Sequence, residues 1–346
     1  MTVMNRRRRL IRASAAASTL TAGALVLSAC GGDSTADDRK VDVAASFYPM
    51  EFLAKEIGGE HVSVTQLTEP GADPHNLELS PKQVGQLSDA DLVVYLRGLQ
   101  PAVDQAVEQA DVQRVAEVSS YTTLETHGGD DHGEHEHGGD SHGEHDHGGD
   151  HGEESAEGHD GGGDEGHDHS AEGGKDPHVW LDPTRYAEIA KGVGKQLAKA
   201  DPKHKKTYQR NTKTLVTKLK ALDADFRAGL DGRESDTIIT THAAFGYLTE
   251  RYGLHEESIA GVDPESGSAS GAHLKELHQI AKEDKVSTIF SASNSSDRSA
   301  RTLADDLGLK TDNLNPLESV RDPEKQDYFS VMRANLTALR SALGAG

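Results

Sequence analysis

"VDVAASFYPMEFLAKEIGGEHVSVTQL", residues 41–67, decides the fold class. It opens on an apolar run, "VDVAAS", passes through a helical stretch, "MEFLAKEIGG", and returns to an apolar run, "VSVTQL". Strand, helix, strand is the pattern of a βαβ unit, and βαβ units build parallel sheets. Working outward, "SPKQVGQLSDA" (80–90), "DLVVYL" (91–96) and "PAVDQAVEQA" (101–110) continue the alternation. Ser80 is placed to cap a helix, and Pro81 suits its first position. Residues 237–344 repeat the theme with "TIITT", "AAFGYLTERYG", "GAHLKELHQIAKED", "VSTIF" and "SARTLADDLG". The expected class is therefore α/β, with two lobes whose parallel sheets are flanked by helices.

Between the lobes, residues 184–230 have helical periodicity broken only at Asp201-Pro202. Leu215, Leu219, Leu222 and Phe226 recur at a spacing of three to four, which puts them on one helix face. This predicts a long, rigid linker helix over 203–230, joining an N-terminal lobe (41–202) to a C-terminal lobe (231–344). The alternative is an ordinary surface helix of one lobe.

The chain of 346 residues is long enough for two cores. Residues 1–29 read as an export signal: Arg6 to Arg9 and Arg12 are followed by the apolar, small-residue run Ala13 to Ala29. The single cysteine, Cys30, closes "LSAC", which resembles a bacterial lipobox, and that resemblance implies lipidation of Cys30. Arg7-Arg8 before Leu10-Ile11 leaves a twin-arginine export route open beside the general one. A lone cysteine excludes an intramolecular disulfide. Residues 30–40 read as a polar tether. The expected location is extracytoplasmic, on the cell membrane through a lipid anchor.

The formal charge is −22, yet residues 127–169 alone carry 15 Asp/Glu and no Lys/Arg. That segment also holds 11 His and 14 Gly, and "GGDDHGEHEH" is followed at once by "GGDSHGEHDH". Nothing in it can build a core, so it is expected to be a disordered insertion. Its histidines, among them His132, His135, His137, His142, His145, His147, His151, His167 and His169, include His-x-His pairs able to chelate borderline metals. A ligand set that must be ordered on binding has modest affinity. These are therefore expected to be auxiliary sites, against the alternative of an acidic spacer. No basic stripe with interleaved aromatics appears after the signal, so no nucleic-acid partner is expected.

Three other histidines stand alone. His75 lies in "EPGADPHNLELSP", His178 in "DPHVWLDP" just past the insertion, and His242 in "TIITTHAAFGYL". Each falls at a strand-to-helix edge, where α/β sheets bind ligands. Asp176 and Asp182 flank His178 as candidate acceptors or helix caps. Trp180 and Phe245 read as core residues behind the ligand loops.

The stretches "PHNLELSP", "DPHVWLDP" and "THAAFGYL", in that order and with a His/Asp/Glu-rich segment before the second, resemble the metal-specific solute-binding proteins of ABC importers, the ZnuA/TroA-like cluster. The likeness runs from Val41 to near Leu343. It implies two α/β lobes bridged by a rigid helix and a metal held between them. It also implies delivery to a membrane permease and no enzymatic activity. By position it puts the metal on His75, His178 and His242. A third histidine where manganese members carry a carboxylate points to Zn²⁺, with Mn²⁺ less favoured. The family's fourth position, often Asp, falls on Asn315 in "LNPLES"; Asn315, a water or Glu318 would complete the tetrahedron. The expected assembly is a monomer partnered by the importer's permease. Alternatives are a manganese or iron binding protein, a surface metal buffer or adhesin, and a His₃-zinc hydrolase or lyase. Removal of residues 127–169 is expected to spare the tight site.

Overall fold

Each apolar run of the opening stretch forms a strand, and the helical run crosses between them. Strand β1 (Val41–Ala45) pairs in parallel with β2 (Val62–Gln66), Val41 opposite Val62, and α1 (Tyr48–Gly58) makes the connection. A computed structural model of the chain describes residues 39–110, 112–127, 174–261, 270–292 and 298–345. The signal, Cys30, most of the tether and the nine auxiliary histidines from His132 to His169 lie outside the described residues. The described residues from Lys40 onward form one compact unit. Among the described residues, no helix is long and apolar enough to cross a membrane.

The first lobe continues with α2 (Pro81–Asp89), β3 (Leu92–Tyr95), α3 (Pro101–Gln109) and β4 (Val115–Glu117). Its four-stranded parallel sheet has the order β2-β1-β3-β4. Helix α2 starts as its sequence dictates, with Pro81 at its first position and a capping box between Ser80 and Gln83. After the insertion, α4 (Pro183–Ala200) is capped by Asp182, whose carboxylate accepts from the backbone N–H of Thr184 and Arg185. A short 3₁₀ turn at Pro202–His204 leads into α5 (Lys205–Gly229).

Helix α5 buries Tyr208, Leu215, Leu219, Leu222 and Phe226 on one face, against α4 and α1 of the first lobe and, at its end, α9 (Tyr328–Leu343) of the second. The second lobe runs β5 (Thr237–His242), α6 (Gly246–Tyr252), β6 (His255–Ala260), α7 (Gly271–Glu283), β7 (Thr288–Ser291), α8 (Arg298–Leu307) and β8 (Lys310–Asn313). Its parallel sheet repeats the first in order, β6-β5-β7-β8.

One hydrophobic core reaches across both lobes, with smaller clusters on the outer face of each sheet. Its aromatic centre joins the lobes directly: Tyr328 of α9 lies 4.7 Å from Tyr186 of α4 and 5.5 Å from Phe52 of α1. Two hydrogen bonds fix the seam. Trp180 Nε1 donates to the Pro316 carbonyl (2.8 Å), and Tyr328 Oη donates to the Trp180 carbonyl (2.7 Å). Both donors are fully buried, where an unpaired N–H or O–H is costly, so the first bond holds the turn after His178 to the loop before Glu318 and the second holds the same turn to the start of α9.

Candidate metal centre

The site lies where connections leave the C-terminal ends of strands in both sheets. His75 sits between β2 and α2, His178 in the connection from β4 to α4, His242 at the last position of β5, and Glu318 between β8 and α9. The three histidines converge on one oxygen of Glu318. Glu318 Oε1 is 2.9 Å from His178 Nε2, 3.1 Å from His75 Nε2 and 3.4 Å from His242 Nε2. The donor atoms of His75, His178 and Glu318 all lie within 4.8 Å of one another, and His242 closes the group from the second lobe.

His242 decides what this cluster is for. Its ring is buried, and neither nitrogen has a hydrogen-bond partner; Nε2 is within ion-pair distance of Glu318 but lacks hydrogen-bond alignment. A buried imidazole with nothing to bond is destabilising by about 1–3 kcal/mol unless something else fills the gap. A cation would. With Zn–N and Zn–O near 2.0–2.1 Å, the ligand atoms of a tetrahedral zinc are about 3.3 Å apart, close to the separations around Oε1.

The electrostatics are those of a cation site. Burial alone would raise the Glu318 carboxyl, but the imidazoles of His178, His242 and His75 more than offset it and hold it well below the usual carboxylate range. Burial would depress His178, yet Asp176 and Glu318 on either side push it up to about 10. Asp176 Oδ1 accepts from both the backbone N–H and Nδ1 of His178, 2.8 Å each. The proton on Nδ1 orients the ring with Nε2 toward Glu318, the arrangement by which a carboxylate aims a metal-binding histidine. A metal binding at Nε2 displaces the proton held there.

Backbone geometry aims the remaining donors. Leu317, just before Glu318, is fully buried with φ of 59°, an uncommon conformation for a side chain of its size. It is held there locally: Asn315 Oδ1 accepts from Leu317 N (2.8 Å), while Asn335 of α9 accepts from Asn315 N and donates to its carbonyl. The Asn315 side chain, a candidate ligand by position, is therefore engaged in its own loop, and the next turn of chain brings Glu318 inward instead. The His75 loop docks on the same segment, where Gly71 N donates to Ser319 Oγ. Gly71 has φ of 82°, and a Cβ there would fall 2.9 Å from Arg321 Cγ, so glycine is required on both counts.

Two supporting residues escaped the sequence reading. Glu256 of β6, partly buried, accepts from Thr240 Oγ1 (2.8 Å) and from the backbone N–H of Phe245 (2.9 Å) and Ala244 (3.3 Å), bracing the turn after His242. Nothing in "HEES" distinguishes it from a surface acid. His127 was read as the first residue of the insertion, but its ring is packed and bonded, Nδ1 to Asp176 Oδ2 at 2.9 Å. In sequence it looks like any other histidine of the repeat.

A family model described as zinc-uptake complex component A, periplasmic (ZnuA), matches residues 43–342. The chain belongs to the ZnuA family. It is 34% identical over 332 residues to the high-affinity zinc uptake system protein ZnuA of Bacillus subtilis (strain 168), covering 92% of this chain and 94% of that one. It is 33% identical over 328 residues to the zinc-binding lipoprotein AdcA of Streptococcus pneumoniae serotype 4, covering 92% of this chain but only 58% of AdcA. The crystal structure of the Zn(II)-bound ZnuA-like domain of S. pneumoniae AdcA superposes with a TM-score of 0.66 at 28% identity, over 88% of this chain and 99% of that domain. ZnuA is a solute-binding transport family, and its two-lobe architecture is the one formed by this chain's paired β2-β1-β3-β4 and β6-β5-β7-β8 sheets.

Proposed function

We propose that this protein captures zinc between its two lobes on the outer side of the membrane and delivers it to an ABC-type permease for uptake. One observation carries the reading: three imidazole nitrogens from separate segments of two lobes converge on one buried carboxylate oxygen. The ligands are His75, His178, His242 and Glu318. Three nitrogens and one carboxylate suit tetrahedral zinc, whereas manganese favours oxygen-rich, higher-coordinate sites. The carboxylate also partly neutralises the dication, which a neutral Asn315 oxygen would not. Four protein donors close the tetrahedron, as in sites that hold zinc; a hydrolase or lyase keeps one position open for water.

The names of the Bacillus and pneumococcal relatives, a zinc uptake system protein and a zinc-binding lipoprotein, support zinc as cargo, a permease as partner and Cys30 as the lipid anchor. A complete donor set within one chain supports a monomer. Lobes 41–202 and 231–344 are braced by α5 (Lys205–Gly229), slightly shorter than the expected 203–230 because a 3₁₀ turn precedes it, so release comes from a change in lobe orientation or ligand geometry when the permease engages. The histidines between His132 and His169 collect metal at lower affinity.

Competition titration of zinc and manganese against a chromophoric chelator tests this. The wild type binds one zinc tightly and manganese less tightly, and His75→Ala, His178→Ala, His242→Ala and Glu318→Gln each weaken zinc by more than about 100-fold. Retention of tight stoichiometric zinc by the triple histidine variant refutes the assignment.

A further inference from the structure

We propose that His127, the first residue of the segment 127–169, is a positioning residue of the zinc site, acting on His178 through Asp176. This rests on the reading above, in which His178 is a zinc ligand.

Asp176 is almost fully buried and divides its two oxygens. Oδ1 takes both N–H groups of His178, and Oδ2 takes Nδ1 of His127 at 2.9 Å. A carboxylate bonded on one oxygen alone turns about its Cβ–Cγ bond, and His178 turns with it. A second donor on the other oxygen fixes the carboxylate plane and, with it, the direction of His178 Nε2. His127 is itself held on three sides. Its ring packs edge-on to Tyr247, with centroids 4.5 Å apart, and its Nε2 lies 3.4 Å from Glu250 Oε2. The backbone beneath is closed by hydrogen bonds: Asp176 N donates to the Glu125 carbonyl (2.8 Å), Glu125 N to Tyr247 Oη (2.7 Å), and Tyr247 Oη to the Asp176 carbonyl (2.8 Å).

The second lobe leaves room for this pair. A Cβ on Gly246, the first residue of α6, would fall 2.4 Å from His127 Cβ and 2.8 Å from Asp176 Oδ2. The chain entering the insertion is thus built into the support of the metal ligand, between α6 of one lobe and the His178 loop of the other. The expectation that the whole segment 127–169 is dispensable for tight binding changes accordingly. His127 is the residue of that segment that the site needs.

The experiment measures zinc affinity by chelator competition in the full chain and in six variants. Asp176→Asn and His127→Ala each weaken binding by about 10-fold to 100-fold, the range for residues that orient a metal ligand. His127→Asn, whose amide N–H occupies the place of Nδ1, stays close to wild type. His127→Gln, whose amide reaches the place of Nε2, behaves like His127→Ala. Deletion of 128–169 leaves the tight site intact, and deletion of 127–169 weakens it as His127→Ala does. Equal affinities for the Asn and Gln variants, or for the two deletions, overturn the proposal. His178→Ala in parallel separates the two readings: if it keeps tight zinc, the site assignment fails. If it loses zinc while His127→Ala matches wild type, only the positioning role fails.

Discussion

At the scale of single residues, the centre depends on which of two side chains three positions apart faces the cleft. Asn315 and Glu318 both stand in "LNPLES", and the sequence leaves them as alternatives because the left-handed turn at Leu317 has no mark in its composition. The three isolated histidines stand out in the sequence because they lie away from the low-complexity run, His75 and His178 each after a proline and His242 at the end of an apolar run. The approach of Glu318 to them is not visible in the sequence, since it depends on a backbone conformation that Asn315 and Asn335 impose through hydrogen bonds. Glu318→Gln keeps the shape and removes the charge on which three imidazoles converge. We expect zinc affinity to fall by at least about 100-fold in this variant, beyond the effect of a supporting residue. Asn315→Ala is expected to weaken zinc by about 10-fold, because it frees the Leu317 N–H and loosens the approach of Glu318 without removing a donor. Competition titration of the two variants separates ligand from scaffold, and an Asn315→Ala loss as large as that of Glu318→Gln would put the amide back among the ligands.

At the scale of elements, the apolar strands and amphipathic helices follow the sequence closely, and the departures have local causes. β8, "KTDN", is exposed at every position and carries no hydrophobic signal; its parallel ladder to β7 at the sheet edge makes it a strand. Just past the end of α7 and its C-cap Asp284, Lys285 has φ of 55°, and Val286 N donates back to the Ala281 carbonyl, a closure that usually employs glycine. Lys285→Gly is expected to stabilise the protein by about 0.5–1 kcal/mol in urea denaturation, since glycine adopts this conformation without the steric cost of a Cβ. The pairing of β6 with β5 yields a pH-dependent prediction. Burial pushes the Glu256 carboxyl up to about 7, while an unfolded glutamate titrates near 4.5. Between these values the folded state binds more protons than the unfolded one, so this group's contribution is full below pH 4.5, declines as pH rises, and is flat above about 7. The decline amounts to about 3 kcal/mol. Glu256→Gln removes it, so the stability difference between variant and wild type should grow across that window and then stay constant. A difference independent of pH from 4.5 to 7 would show that Glu256 is ionised throughout.

At the scale of the whole molecule, the two lobes are neither independent domains nor freely hinged. They share one core, with Tyr328 of the second lobe stacked among Phe52 and Tyr186 of the first, and the Trp180–Pro316 bond ties a ligand loop of each lobe to the other. The α/β alternation of the sequence announces two sheets, but the shared core was not legible, because it is assembled from aromatics such as Phe47, Trp180 and Tyr328 that are distant in sequence. Chains of this length often unfold lobe by lobe; here the common core predicts a single calorimetric transition for the metal-free protein. Zinc held at the proposed site, with ligands from both lobes, adds to that coupling, because such a site forms only when the lobes are folded together. At free zinc 1,000 times the dissociation constant, the gain is about 4 kcal/mol, read as a rise in transition temperature that keeps the transition single. Glu318→Gln should lose most of that rise at the same zinc concentration, and the deletion of 128–169 should retain it, because the three histidines that converge on Glu318 all lie outside the deleted segment. Two resolved transitions with only one shifted by zinc would mean that the metal is held by a single lobe, and His75 and His178 of the first would then have to bind it without His242 and Glu318.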